Sequence, residues 1–176
     1  MTVEQLKVAI RTPIDRIPVG RGFYQLEEDA LYVQIAPWDS DHRFFSFIES
    51  DTVRLDVDKH GSLLFIEVSE ARRHWTEMES LVIPKAVAPA DIRWADFRET
   101  IAQPQLLSDH TREHLQIKYS DLPPALADEI AGSVLVQVTR ENIVTSVWVT
   151  DIIDDLAGQE IAWFRTAMRP KERVRT

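Results

Sequence analysis

The sequence predicts an α+β protein: an antiparallel, β-hairpin-rich sheet or barrel-like core built from a rough internal duplication, with a C-terminal helix packed on it. Three observations predict it. Thr52–Ser69 alternates with period 2, with Val53, Leu55 and Val57 on one face of the first arm and Leu64, Ile66 and Val68 on one face of the second. Val53–Ala71 laid without gaps on Val134–Ile152 repeats that alternation 81 residues later. Finally, Ile153, Leu156, Ala157, Ile161, Phe164 and Met168 recur at helical spacing before Pro170.

Taken in order, Thr2 caps a short helix from Val3 to about Arg11, with Gln5 at the capping-box position. Pro13, Pro18, Gly20 and Gly22 mark an irregular connection. Phe23–Glu27 and Ala30–Ala36 read as strands around the polar step Glu28-Asp29, and Phe44–Ile48 as a third. Asp58-Lys59-His60-Gly61 joins the two arms of the next hairpin, with a glycine able to take positive φ. Its counterpart in the later copy is Asn142, another residue that tolerates the left-handed region. Ser80–Pro84 reads as a short strand cut off by proline, Asp91–Phe97 as a further strand, and Leu115–Tyr119 as a partner of the later hairpin. These elements make one domain, with repeat halves over 20–75 and 105–168.

The stretch DVDKHGSLLFIE, Asp56–Glu67, nearly spells a calcium-binding EF-hand loop: Asp56, Asp58, Gly61 and Glu67 stand in register and His60 breaks it. Helices flank an EF-hand loop, whereas the flanks here have period 2, so the stretch reads as a solvated hairpin turn. The later copy has Thr139, Glu141 and Asn142 in place of Asp58, His60 and Gly61, so it carries the turn without the carboxylates. His110 and His114 are four apart beside Asp109 and Glu113, but no apolar helix frames them, and along a strand they would lie ~13 Å apart. No metal site is expected.

YQLEEDALYVQI followed by VRLDVDKHGSLLFIEVSEA resembles a family of short bacterial domains, domain of unknown function 2283. Asp29-Ala30-Leu31-Tyr32-Val33 matches its first motif; Asp56, Asp58, Gly61, Ile66 and Glu67 match its second. Phe65 stands where the family usually has glycine, and Gln25 where it usually has aspartate. The resemblance covers about residues 23–71, with a degenerate second copy at about 113–152. It implies a small antiparallel sheet followed by a helix, and it carries over no catalytic residue.

With 176 residues, 44% hydrophobic and 28% charged, the chain is large enough to bury a core of its own. It has no cysteine, which excludes disulfides and thiolate chemistry and fits the cytoplasm. The net charge of -9 makes nucleic acid and anionic membranes poor partners. The start, MTVEQLKVAIRTPIDR, lacks the apolar core of a signal peptide. No phosphate-binding loop, dinucleotide fingerprint or serine-hydrolase elbow is present, so no cofactor and no catalytic residue is assigned.

Two clusters are candidate ligand or interaction sites. The loop Trp38–Arg43 gathers Trp38, Asp39, Asp41, His42 and Arg43, where a carboxylate–imidazole pair could act as a general base. Arg72 and Trp75, in RRHW, offer a guanidinium and an indole, with a helix end lying on the core as the plainer reading. Together these features predict a non-enzymatic binding or protein-interaction module of the bacterial cytoplasm, self-associating as a homodimer. The alternative is a small-ligand-binding protein or an enzyme, with Asp39, Asp41 and His42 in a polar cleft between the two β halves.

Overall fold

A computed structural model describes residues 2–35, 43–95 and 99–156. Its strands run β1 (Thr2–Val3), β2 (Val8–Pro13), β3 (Gly20–Gln25), β4 (Ala30–Ile35), β5 (Ser46–Glu49), β6 (Val53–Val57), β7 (Leu63–Val68) and β8 (Thr76–Glu77). They continue as β9 (Ala88–Trp94), β10 (Glu99–Ile101), β11 (Gln105–Ser108), β12 (Leu115–Lys118), β13 (Leu126–Ala131), β14 (Val134–Val138), β15 (Val144–Val149) and β16 (Ile153–Asp155). Two eight-stranded mixed sheets result, ordered β1-β10-β5-β6-β7-β4-β3-β16 and β2-β9-β13-β14-β15-β12-β11-β8.

At the centre of each sheet lies the same antiparallel five-strand unit, β3-β4-β7-β6-β5 in the first and β11-β12-β15-β14-β13 in the second. The correspondence extends to single hydrogen bonds. Both hairpins carry a register shift at matching places, between Asp56 and Val57 and between Gln137 and Val138. In the first turn the Asp58 N–H donates to Ser62 O and the Gly61 N–H to Asp58 O; in the second, Thr139 donates to Ile143 O and Asn142 to Thr139 O. Gly61 and Asn142 both sit at positive φ, 86° and 62°, as the turn geometry requires.

The side chain that holds each turn also matches. One Asp58 carboxylate oxygen accepts the N–H groups of His60 and Ser62, at 2.8 and 2.9 Å. The Thr139 hydroxyl accepts those of Glu141 and Ile143, at 3.3 and 3.2 Å. Asp58 is 1% exposed and braces its own turn, while Asp56 turns to Arg54 at 3.0 Å. The near-calcium stretch is therefore a hairpin whose two aspartates have separate partners. Asp58→Ala is expected to lower stability by about 1–3 kcal/mol, because two backbone donors lose a charged acceptor. Asp58→Thr, which copies the second turn, should retain most of it. Equal losses in urea unfolding of the two variants would show that the turn needs charge rather than an acceptor.

The halves interlock. Having finished β7, the chain crosses to add β8 in parallel to β11 of the second sheet; having finished β15, it crosses back to add β16 in parallel to β3 of the first. Inner faces of both sheets, including Leu31, Leu55 and Ile66 from one and Leu115, Val136 and Val147 from the other, form one hydrophobic cluster. Beside it the backbones meet at two glycines: the Gly132 N–H donates to Pro18 O, and a Cβ on Gly20 would overlap the Gly132 carbonyl oxygen.

Four expectations need correction. The architecture is all-β rather than α+β: among the described residues the only helical turn is the three-residue 3-10 segment Arg72–His74. The expected C-terminal helix begins instead as β16, with Ile153 and Leu156 40% and 77% exposed, so the start of the supposed apolar stripe is not buried. The rest of that segment lies outside the described residues. At the N-terminus, Leu6 and Val8 are buried two apart, as in a strand, and Ile10, 55% exposed, is turned outward by the register shift between Val8 and Ile10 where β2 pairs with β9. Ser80–Pro84 has no strand, whereas Asp91–Trp94 falls within β9. No helix among the described residues is long and apolar enough to cross a membrane.

Candidate functional site

The outer face of the second sheet carries an open cleft of about 370 Å³. Its floor is Gln116 and Lys118 of β12, Gln137 of β14, and Thr145, Ser146 and Trp148 of β15. Cross-strand register explains the grouping: Gln116 lies opposite Trp148, and Ser146 lies opposite both Lys118 and Gln137. One wall is the stretch after β8, with Met78, Leu81 and Val82; the other is the turn after β12, with Asp121, Leu122, Pro123 and Pro124.

The floor is held by its own hydrogen bonds. Trp148 Nε1 donates to Gln137 Oε1 at 2.7 Å, and since an indole can only donate, the Gln137 amide is oriented with its NH₂ away from that bond. Gln116 Nε2 donates to Ser146 Oγ at 2.8 Å, leaving the serine proton for another acceptor. Ser146 and Trp148 are 2% and 3% exposed, so these groups are fixed before any ligand arrives. At the rim, Lys118 Nζ meets an oxygen of the exposed Asp121 at 3.1 Å.

The same positions in the first sheet are filled differently. Phe65 lies opposite both Gln34 and Asp56, in the place that Ser146 takes opposite Lys118 and Gln137. Tyr32 stacks on Phe65 at 5.8 Å between ring centroids, Phe44 tilts against it at 5.9 Å, and both Tyr32 and Phe65 are buried. Burial pushes the Asp56 carboxyl above its usual range, opposed by its bond to Arg54, whose guanidinium also lies over Phe47. One scaffold thus supports an aromatic stack on one sheet and an amide-lined cleft on the other.

Of the residues singled out from the sequence, Trp38, Asp39, Asp41 and His42 lie outside the described residues; Arg43, which follows them, is exposed. Arg72 and Trp75 form a structural junction. Trp75 is 2% exposed, meets Tyr24 edge-on at 6.0 Å, and donates its Nε1–H to Glu70 O. The Arg72 N–H donates to the Tyr24 hydroxyl, and its guanidinium lies over that ring and reaches Asp154 of β16 at 2.6 Å. Arg73 pairs with Asp29 and holds its carboxyl below the usual range. His110 and His114 turn to different partners, Glu77 and the Asp151 N–H.

Between the sheets, Ile35 and Leu63 face Ile92 and Ile130 around about 60 Å³. Trp148 alternates with Val147 and Val149 along β15, so period 2 sets it on this outer face. The walls are irregular segments with no such signal. No protein-family model matches the chain, and no curated protein matches it.

Proposed function

We propose that this chain is a non-enzymatic binding module that takes a small ligand in the cleft of the second sheet. One observation carries the reading: at matched positions on one scaffold, the first sheet carries stacked aromatics and the second an open floor of oriented hydrogen-bonding groups under apolar walls. That combination, apolar sides with a few convergent polar groups, is what small-molecule sites have in common. Binding is favoured over catalysis because the ionisable lining groups among the described residues, Lys118 and Asp121, pair with each other, and no nucleophile is hydrogen-bonded to a base in the cleft.

Native mass spectrometry of gently purified protein tests this, and it reports subunit number at the same time. A retained small-molecule mass is expected on the wild type. The double variant Gln116→Tyr, Ser146→Phe, which copies the filling of the first sheet, should lose that mass while keeping its circular dichroism spectrum. Equal retention by both proteins would overturn the site. A bare wild type whose melting temperature no metabolite extract raises would move the chain to the protein-interaction class.

A further inference from the structure

Resting on that reading of the cleft, we infer that its ligand is a small carboxylic acid with an apolar body. The evidence is the row Lys118, Ser146, Gln137, which crosses three adjacent strands as direct cross-strand neighbours. Strands stand about 4.8 Å apart, so the outer two members of the row flank Ser146 from either side. Each member has a donor to offer. Gln137 Oε1 is taken by Trp148, which leaves its NH₂; Ser146 Oγ accepts from Gln116, which leaves its proton; Lys118 has three N–H groups, of which Asp121 engages one.

Three donors on adjacent strands, with the buried Ser146 between the other two, suit the two oxygens of a carboxylate, and a charged acceptor makes each such bond stronger than a neutral one. Among the described residues, the floor of the cleft has no carboxylate to repel it. Asp121 is at the rim, its side chain 91% exposed, and an exposed pair of this kind is worth little and opens readily. Above the row, Leu81 and Val82 face Leu122 and Pro123 from the opposite wall, surfaces suited to an aliphatic chain and not to a sugar or a phosphate ester. In the first sheet the same row is Gln34, Phe65 and Asp56, with no cation and one acid, so the donor row is peculiar to the cleft.

The experiment is an NMR titration of the ¹⁵N-labelled full chain with sodium octanoate, and with 1-octanol as the neutral body of the same length. Octanoate is expected to shift the amides of Gln116–Lys118, Gln137 and Thr145–Trp148 and to bind at least about tenfold more tightly than octanol. Lys118→Met should remove that preference, and Lys118→Arg should keep it. Octanol and octanoate binding the cleft alike would overturn the acid and leave the cleft reading intact. Octanoate shifts confined to other surfaces, or a preference that survives Lys118→Met, would also overturn it. Loss of the cleft itself is read separately, from the retained mass in the wild type and the filled double variant.

Discussion

Arg11→Met is expected to lower the stability of this protein by about 3–5 kcal/mol, more than the turn substitution above. Arg11 projects from β2 and Asp128 from β13, with β9 paired between them. The guanidinium spans that strand to make two bonds to the carboxylate, at 2.5 and 2.7 Å. The Asp128 side chain is 4% exposed, so removing the arginine leaves a carboxylate in a poorly hydrated place with its main partner gone. The first half shows what that place accepts without charge. Ile48 lies opposite Leu55 just as Asp128 lies opposite Val136, and Leu55 and Val136 are matched across the halves. The double variant Arg11→Met, Asp128→Ile should therefore recover most of the loss, since removing both members of a buried pair is far milder than removing one. Urea midpoints at constant slope measure both effects. A single-variant loss below about 1 kcal/mol would mean that water reaches Asp128 and that the clamp holds little.

The hairpins could be read from the sequence because period 2 is a local property. Each of Val53, Leu55 and Val57 is at most 1% exposed, as their alternation requires, and the 81-residue offset carried the same assignment to β14 and β15. The helices failed for a related reason. In the N-terminal segment a helical stripe needs Ile10 inside with Leu6, but Leu6 and Val8 bond to the turn at Asn142–Val144, and the register shift between Val8 and Ile10 leaves Ile10 out. Tertiary pairing outweighed a weak local preference. The strands that lock the halves together, β8 and β16, have two and three residues, too short to show any period. The cleft was half legible. Its floor follows from alternation, since Ser146 and Trp148 must face away from Val147 and Val149. Its walls come from irregular segments on either side of β11 and β12, and only the folded sheet brings Leu81 and Pro123 over one floor.

Trp75→Ala is the second large effect, with an expected loss of about 3–5 kcal/mol from the missing ring and the cavity it leaves. The indole is in the stretch that carries the chain from the first sheet to the second, and it is buried against Tyr24. Tyr24 in turn donates to Asp29 and accepts from the Arg72 N–H, so the ring supports the turn that launches β8. Arg112, which follows β11, donates to the Trp75 carbonyl oxygen at 2.6 Å and ties the same point to the second half. Trp75→Phe separates packing from polarity. It keeps an apolar ring against Tyr24 but leaves the Glu70 carbonyl without the indole donor, and should cost about 1–3 kcal/mol. If Trp75 were instead an interaction residue, alanine would weaken binding and leave the urea midpoint unchanged. A midpoint that falls in the order wild type, Phe, Ala, with the cleft amides still dispersed in NMR spectra of the Phe variant, would establish the residue as the core of the crossover. It would also show that the two sheets are held together by the connection between them as well as by their shared interior.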